Sequence, residues 1–161
     1  MIERVKELAS ELGLGPHPEG GQFAEVFRSA MNVLTADGRG ERSAVTTIYF
    51  LLVAGERSRW HQVLSDELWH FYEGDRLELY WIDPRTWQSG IIVLGPEAEG
   101  AHSIGVIRSG WWQAARTTGD YTLVGCTVAP GFEYKDYTIL GPESEEAEVI
   151  RHRFPDVADF L

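Results

Sequence analysis

The chain has 161 residues, 43% of them hydrophobic, and this size suits one domain spanning residues 1–161 around a single hydrophobic core. Its 25 acidic residues against 14 basic ones give a net charge of −11, which argues against nucleic acid and anionic membranes as partners. The single cysteine excludes an intrachain disulfide. With charges among the first residues, unlike a signal peptide, and no apolar run long enough to span a membrane, we expect a cytoplasmic protein.

The start of the chain is predicted to form a short helix, because Val5, Leu8 and Leu12 fall on one helical face. The Gly and Pro residues at 13–16 end the pattern. Runs rich in β-branched and aromatic residues then predict strands. They cover residues 23–28, 43–53, 60–64, 67–72, 77–82, 88–94, 103–108, 111–116, 121–129 and 133–140. Gly, Pro and Asp turns separate them, and a short helix is expected near 145–150. The sequence therefore predicts an all-β sandwich or barrel with short helical segments at both ends.

A glycine-rich hairpin at residues 55–75 carries the most informative spacing. It runs Gly55, five residues, His61, one residue, Val63, three residues, Glu67, six residues, Gly74. This spacing resembles the first motif of the cupin superfamily, except that Val63 stands where a second histidine is usual. The resemblance implies a double-stranded β-helix, the cupin jelly-roll barrel, in which the histidines and the glutamate hold a metal.

The stretch 110–113 resembles the second cupin motif and places Gln113 where the third metal-binding histidine is usual. The resemblance thus leaves His61, Glu67 and Gln113 as metal ligands, and a glutamine is a poor ligand for transition metals. His70 is a further candidate for ligand or metal binding. Strand alternation puts it opposite Glu67, but a bulge near Asp66 would reverse it, so its direction stays open. A weakly bound divalent metal is the cofactor this set allows.

The same residues also suit chemistry without a metal. A histidine beside a carboxylate is a candidate general base, so His61 and Glu67 are candidate catalytic residues, and Gln113 is placed to orient a carbonyl or hydroxyl group. Metal-free epimerases of the cupin superfamily use a histidine base and a tyrosine acid. By that resemblance His61 has three candidate partners here, Tyr137, Tyr134 and Tyr72. Nothing in the sequence chooses among them, and Tyr137 is named as the candidate catalytic tyrosine.

Two further signatures, His-Pro-Glu-Gly-Gly at 17–21 and Pro-Gly-Phe-Glu at 130–133, resemble a functionally uncharacterised single-domain branch of the cupins. The likeness runs from about residue 17 to 140 and implies a homodimer whose N-terminal strands pair across the interface. Glu19, from the first signature, joins the candidate ligand-binding residues. The candidate apolar wall of the site consists of Trp69, Phe71 and Trp111.

Three functions fit these residues. The first is a cupin that binds a small polar metabolite, such as a sugar or nucleotide derivative, with metal-free isomerase or epimerase chemistry as its sharper form. The second is a metal-assisted enzyme, which chelation would inactivate. The third is a non-enzymatic binding or storage protein. Fold alone does not choose among them.

Overall fold

The structure is a computed structural model that describes residues 3–161 and is built mainly of short antiparallel strands. Two helices, α1 (Glu3–Glu11) and α2 (Glu145–Arg153), lie at its two ends. The strands are β1 (Gly15–Pro16), β2 (Gln22–Arg28), β3 (Asn32–Leu34), β4 (Glu41–Ser43), β5 (Thr46–Val53), β6 (Ser58–Val63), β7 (Asp66–Gly74), β8 (Leu77–Ile82), β9 (Ser89–Leu94), β10 (Ile104–Ile107), β11 (Trp112–Thr117), β12 (Tyr121–Ala129) and β13 (Tyr137–Ile139). The predicted all-β class with short terminal helices is confirmed.

Two sheets face each other. One has the strand order β1-β2-β5-β12-β7-β10, the other has β13-β6-β11-β8-β9, and β3 with β4 forms a separate hairpin. From β5 to β8 the chain crosses between the sheets at successive connections, so that β6 and β7 belong to opposite sheets. This is the double-stranded β-helix that the sequence predicts, and that prediction is confirmed.

Alternation along the strands separates an inner core from an outer layer. Phe50 and Leu52 of β5 point between the sheets and belong to the inner cluster. Leu51, between them, points outward and packs with Val5 and Leu8 of α1. The amphipathic first helix therefore covers the outer face of the six-stranded sheet.

The C-terminal segment covers the other sheet in the same way. Ala147 and Ile150 of α2 and Phe160 of the following 3-10 turn pack on Trp60. Ser144 caps α2, since its side chain accepts a hydrogen bond from the Ala147 amide at 3.1 Å. Within residues 3–161, no helix is long and apolar enough to cross a membrane.

Two of the differences between the structure and the predicted elements concern whole segments. The predicted strand at 133–140 begins instead as a 3-10 turn, Tyr134–Asp136, and only Tyr137–Ile139 is a strand. The turn forms because Asp136 is drawn inward to a buried ion pair with Arg42, at 2.6 and 2.7 Å. The hairpin of β3 and β4 was not predicted, because its strands have three residues each.

Candidate functional site

A cavity of about 260 Å³ opens between the two sheets. Its inner part is polar at the base and aromatic along the walls, whereas its mouth carries charged side chains. The lining includes His17, Glu19, Phe23, Glu25, Arg28, Phe50, His61, Val63, Glu67, Trp69, Cys126, Glu133, Tyr134 and Tyr137.

Glu19 enters the cavity from the turn before β2. The turn depends on Gly20 at φ +111°, where an added Cβ would lie 2.1 Å from the carbonyl oxygen of Arg57. Only glycine tolerates that approach in this backbone region. The turn buries Glu19 to 4% exposure, where its carboxylate accepts hydrogen bonds from Ser58 Oγ at 2.8 Å and from the Tyr137 hydroxyl at 3.1 Å.

His61, on β6, is 2% exposed and keeps one ring nitrogen toward the cavity. Its Nδ1 lies 2.7 Å from the Arg59 carbonyl oxygen and 3.2 Å from Glu19 Oε2. A carbonyl oxygen only accepts, so Nδ1 carries the proton and Nε2 holds a lone pair. Among the described residues no hydrogen bond reaches Nε2. Burial lowers the pKa of His61, against a smaller opposing effect of Glu67, which favours the neutral ring.

Glu67, at the start of β7, is held by a chain of side-chain hydrogen bonds. The Trp69 indole donates to Gln113 Oε1 at 3.0 Å, and this fixes the orientation of the amide. Gln113 Nε2 therefore points to Glu67 and donates to its Oε2 at 2.5 Å. The register places Gln113 of β11 opposite His61 of β6, which explains why these groups converge.

Burial in this network shifts the acidity of the buried acids. It raises the pKa of Glu67 to about 7, although His61 and the Gln113 hydrogen bond act in the opposite direction. Burial also raises the pKa of Glu19. The Cys126 thiol has its pKa raised well above the usual value, first by burial and then by Glu67 and Glu19. Near neutral pH the cavity therefore combines a neutral imidazole with a carboxyl group that is close to half protonated.

Tyr137 is the tyrosine that the structure brings to His61. Their ring centroids are 5.6 Å apart, because β13 pairs with β6 and sets Tyr137 opposite Val63. Tyr134 lies at the mouth and is 60% exposed. Tyr72 lies outside the cavity, with its hydroxyl against Gly125.

Other predicted site residues lie elsewhere. On β7, Glu67 and Trp69 are buried on the cavity side, and His70 lies on the opposite face, where it pairs with Ile104 of β10. The bulge of this strand lies beyond His70, near Tyr72, so it does not turn His70 inward. The direction that the sequence left open is therefore outward.

The expected apolar wall is only partly present. Trp69 lines the cavity, whereas Phe71 packs against the inner core and does not line the cavity. Trp111 stacks on Trp81, with centroids 4.6 Å apart, and lines a separate surface depression. The rest of the aromatic wall comes from Phe23 on β2 and Phe50 on β5. The motif comparison did not name these two residues as site residues.

His17 is a cavity residue to which the sequence reasoning assigned no role. Its Nδ1 lies 3.7 Å from Glu19 Oε2, and its ring meets Phe23 edge-on with a centroid distance of 4.6 Å. Burial is the main cause of its lowered pKa. The signal was available, since His17 begins the same His-Pro-Glu-Gly-Gly signature that supplies Glu19.

The donors present fit a divalent metal poorly. Val63 lines the cavity at the position of the second cupin histidine, and the Gln113 amide is engaged by Trp69 and Glu67. Of the cupin motif positions, only His61 Nε2 and the Glu67 carboxylate remain as donors, which is fewer than the three protein ligands of a catalytic zinc site. Within residues 3–161, no group of three or more His, Cys, Asp or Glu side chains is arranged to hold a metal ion.

Known proteins with similar sequences or structures place the chain in a family. The Cupin_5 model, described as cupin superfamily (DUF985), matches residues 6–140. A hypothetical protein from Leishmania major is 30% identical with a TM-score of 0.82, covering 97% of this chain and 95% of that one. A protein from Shewanella oneidensis is 28% identical with a TM-score of 0.79, covering 96% and 92%.

More distant structures share the fold alone. Oxalate decarboxylase from Bacillus subtilis is 14% identical with a TM-score of 0.59, and the match covers 91% of this chain and 35% of that one. No functionally curated protein matches the sequence.

Proposed function

The chain belongs to the Cupin_5 family of the cupin superfamily, and from that premise we propose that its cavity binds a small polar metabolite and moves a proton on it without a metal. The observation that carries the proposal is that His61 and Glu67 are both buried and line the same cavity. One is a neutral base with a free nitrogen, and the other is an acid with its pKa raised to about 7. A neutral imidazole and a carboxyl group that is close to half protonated near neutral pH are the arrangement of a general base and a general acid.

The proposed step is a proton transfer beside a carbonyl group. His61 Nε2 removes a proton from the carbon, and the negative charge moves to the carbonyl oxygen as an enolate. Protonated Glu67 returns a proton to carbon, which completes an isomerisation or an epimerisation, and solvent then takes the proton from His61 and reprotonates Glu67. The Arg59 carbonyl oxygen holds the Nδ1 proton of His61 in place, and Tyr137, hydrogen-bonded to Glu19, is the alternative donor.

Solvent exchange tests this proposal even though the substrate is unidentified. The protein is incubated in D₂O with a panel of small aldoses, ketoses and hydroxy ketones, and ¹H NMR follows loss of the signal beside the carbonyl. We expect exchange that survives EDTA and that His61→Gln abolishes. Exchange lost on chelation and restored by a divalent ion would show a metal-assisted enzyme. Binding of a compound without exchange would instead indicate a binding protein that catalyses no proton transfer.

The chain is also proposed to form a homodimer through β2. The outer edge of this strand meets only Gly15 and Pro16 of β1, which pair with Phe23 and Gln22. Beyond them the edge is open among the described residues, and Phe27 is 52% exposed there. An open strand edge beside exposed apolar side chains is suited to pairing with a second copy of the chain.

A further inference from the structure

The charged side chains that line the cavity are mostly acidic. Among the described residues, four carboxyl groups face it, those of Glu19, Glu25, Glu67 and Glu133, against the single guanidinium of Arg28. Arg28 is already paired, because it donates to both Glu25 oxygens at 2.8 and 3.1 Å and to Glu133 at 3.2 Å. An incoming anion would therefore find no unpaired cation among these side chains.

The deepest part of the cavity has capacity for a hydrogen-bond donor. His61 Nε2 holds a lone pair that accepts no hydrogen bond from a described group. Glu67 lies beside the Cys126 thiol and has one oxygen outside its bond to Gln113. The surrounding walls include the rings of Phe23, Phe50 and Trp69. Aromatic faces attract cations, and carboxylates in a site of low dielectric attract them more strongly than they do in water.

From this geometry we infer that the cavity selects a small metabolite carrying an ammonium group and rejects phosphate and carboxylate ligands. The inference rests on the proposed function, since it assigns a charge class to the ligand of the same site. An ammonium group would pair with the Glu67 carboxylate and pack against the aromatic walls, which leaves His61 Nε2 as the base and Tyr137 as the proton donor. A buried anion beside two carboxyl groups would remain uncompensated.

The size of the cavity supports the same conclusion. At about 260 Å³ it lies below the roughly 300–1,000 Å³ of pockets for drug-sized ligands, so a nucleoside diphosphate derivative would extend through the mouth. Its phosphates would then meet Glu25 and Glu133, where recognition of phosphate needs unpaired arginine or lysine side chains or a helix N-terminus. Of the ligands expected from the sequence, a nucleotide derivative is therefore the one that the cavity disfavours.

Three probes of similar size and different charge test the inference: ethanolamine, ethylene glycol and glycolate, each titrated at pH 8 and constant ionic strength. The readout is the Trp69 indole N–H signal in the ¹⁵N spectrum, assigned by its loss in Trp69→Phe. We expect ethanolamine to bind at least about fivefold more tightly than ethylene glycol, and glycolate to bind most weakly. Glu67→Gln should remove this preference, and Glu41→Gln, an exposed control of equal charge change, should keep it.

Each outcome decides a different statement. Equal or tighter binding of glycolate or ethylene glycol would overturn the charge inference and leave the site itself standing. If no probe shifts the Trp69 signal, both the inference and the proposed binding site fail. Loss of exchange chemistry in the D₂O experiment, with the ethanolamine preference intact, would overturn only the proposed reaction.

Discussion

The Glu19 carboxylate lies 3.2 Å from Nδ1 of His61, although the two residues come from different parts of the fold. The same Glu19 oxygen accepts the Tyr137 hydroxyl at 3.1 Å. Glu19 thus lies next to both the candidate base and the candidate tyrosine, while the Arg59 carbonyl oxygen keeps the imidazole proton on Nδ1. The His-Pro-Glu-Gly-Gly turn, whose sequence alone indicates a loop, is therefore part of the site.

Replacing Gln113 should destabilise the protein. Gln113→Ala leaves the Trp69 indole and the Glu67 carboxyl group buried without their partner, which we expect to cost about 2–4 kcal/mol of unfolding free energy. Urea denaturation measures the loss. Gln62→Ala, on the opposite face of β6, is the matched control and should cost less than about 1 kcal/mol. Similar losses in the two variants would contradict the buried network.

The raised pKa of Glu67 predicts how stability depends on pH. Its usual value is 4.5, and in the folded protein it is about 7, so between these values the native state holds a proton that the unfolded state has released. The stabilisation is complete at low pH and is lost as pH rises through 7. Relative to Glu67→Gln, the wild type should lose up to roughly 3 kcal/mol between pH 5 and pH 8.

Urea unfolding of both proteins across that range provides the measurement. The lowered pKa of His61 acts in the opposite direction, since its neutral form is favoured by folding, but to first order that effect is common to both proteins and cancels in the difference. A difference that stays constant with pH would mean that Glu67 titrates normally.

The buried Arg42–Asp136 pair should support Tyr137. Arg42 is 3% and Asp136 5% exposed, and removing Arg42 leaves Asp136, immediately before Tyr137, with only the single contact from Arg39 at 2.9 Å among the described side chains. Arg42→Met is therefore expected to lower the melting temperature and to weaken ethanolamine binding. Asp159→Asn, which breaks the exposed ion pair with Arg57, should change neither measurably. Equal melting temperatures and equal ethanolamine binding in the two variants would contradict this prediction.

The proposed dimer depends on the exposed edge and face of β2. Phe27→Glu places a charge in that region and should shift the mass measured by light scattering from a dimer to the 18.1 kDa monomer. Ile91→Glu is the matched control, because Ile91 is 54% exposed on β9, in the other sheet. It should leave the mass unchanged. A monomeric wild type would end the proposal.

Most strands of the fold follow from local pattern. Val-, Ile- and aromatic-rich runs bounded by Gly, Pro and Asp marked the strands, because those residues suit a half-buried extended chain. The 3-10 turn at 134–136 was not predicted, because the chain bends there through the ion pair of Asp136 with Arg42. An ion pair between residues so far apart in sequence leaves no local signal.

The candidate site was only partly predictable for a similar reason. Motif spacing identified His61, Glu67 and Gln113, because a hairpin and a neighbouring strand fix their register. It did not reveal that Gln113 supports Glu67 or that His17 lines the cavity. Glu19 was expected at the site only from the His-Pro-Glu-Gly-Gly signature, since the turn at 17–21 reaches His61 only through tertiary packing. Strand alternation predicts which residues of one strand share a face. Hydrogen bonds between residues that are distant in sequence become known only from the structure.

The most direct test of the proposed chemistry is the tautomer and charge of His61, measured in a long-range ¹H–¹⁵N spectrum at pH 7 with assignment by loss of the signals in His61→Gln. The chemistry requires a neutral ring that is protonated at Nδ1, with an unprotonated Nε2 facing the cavity. Nitrogen shifts of that tautomer are the predicted result. A ring protonated at Nε2, or an imidazolium at pH 7, would remove the base and contradict the proposed function.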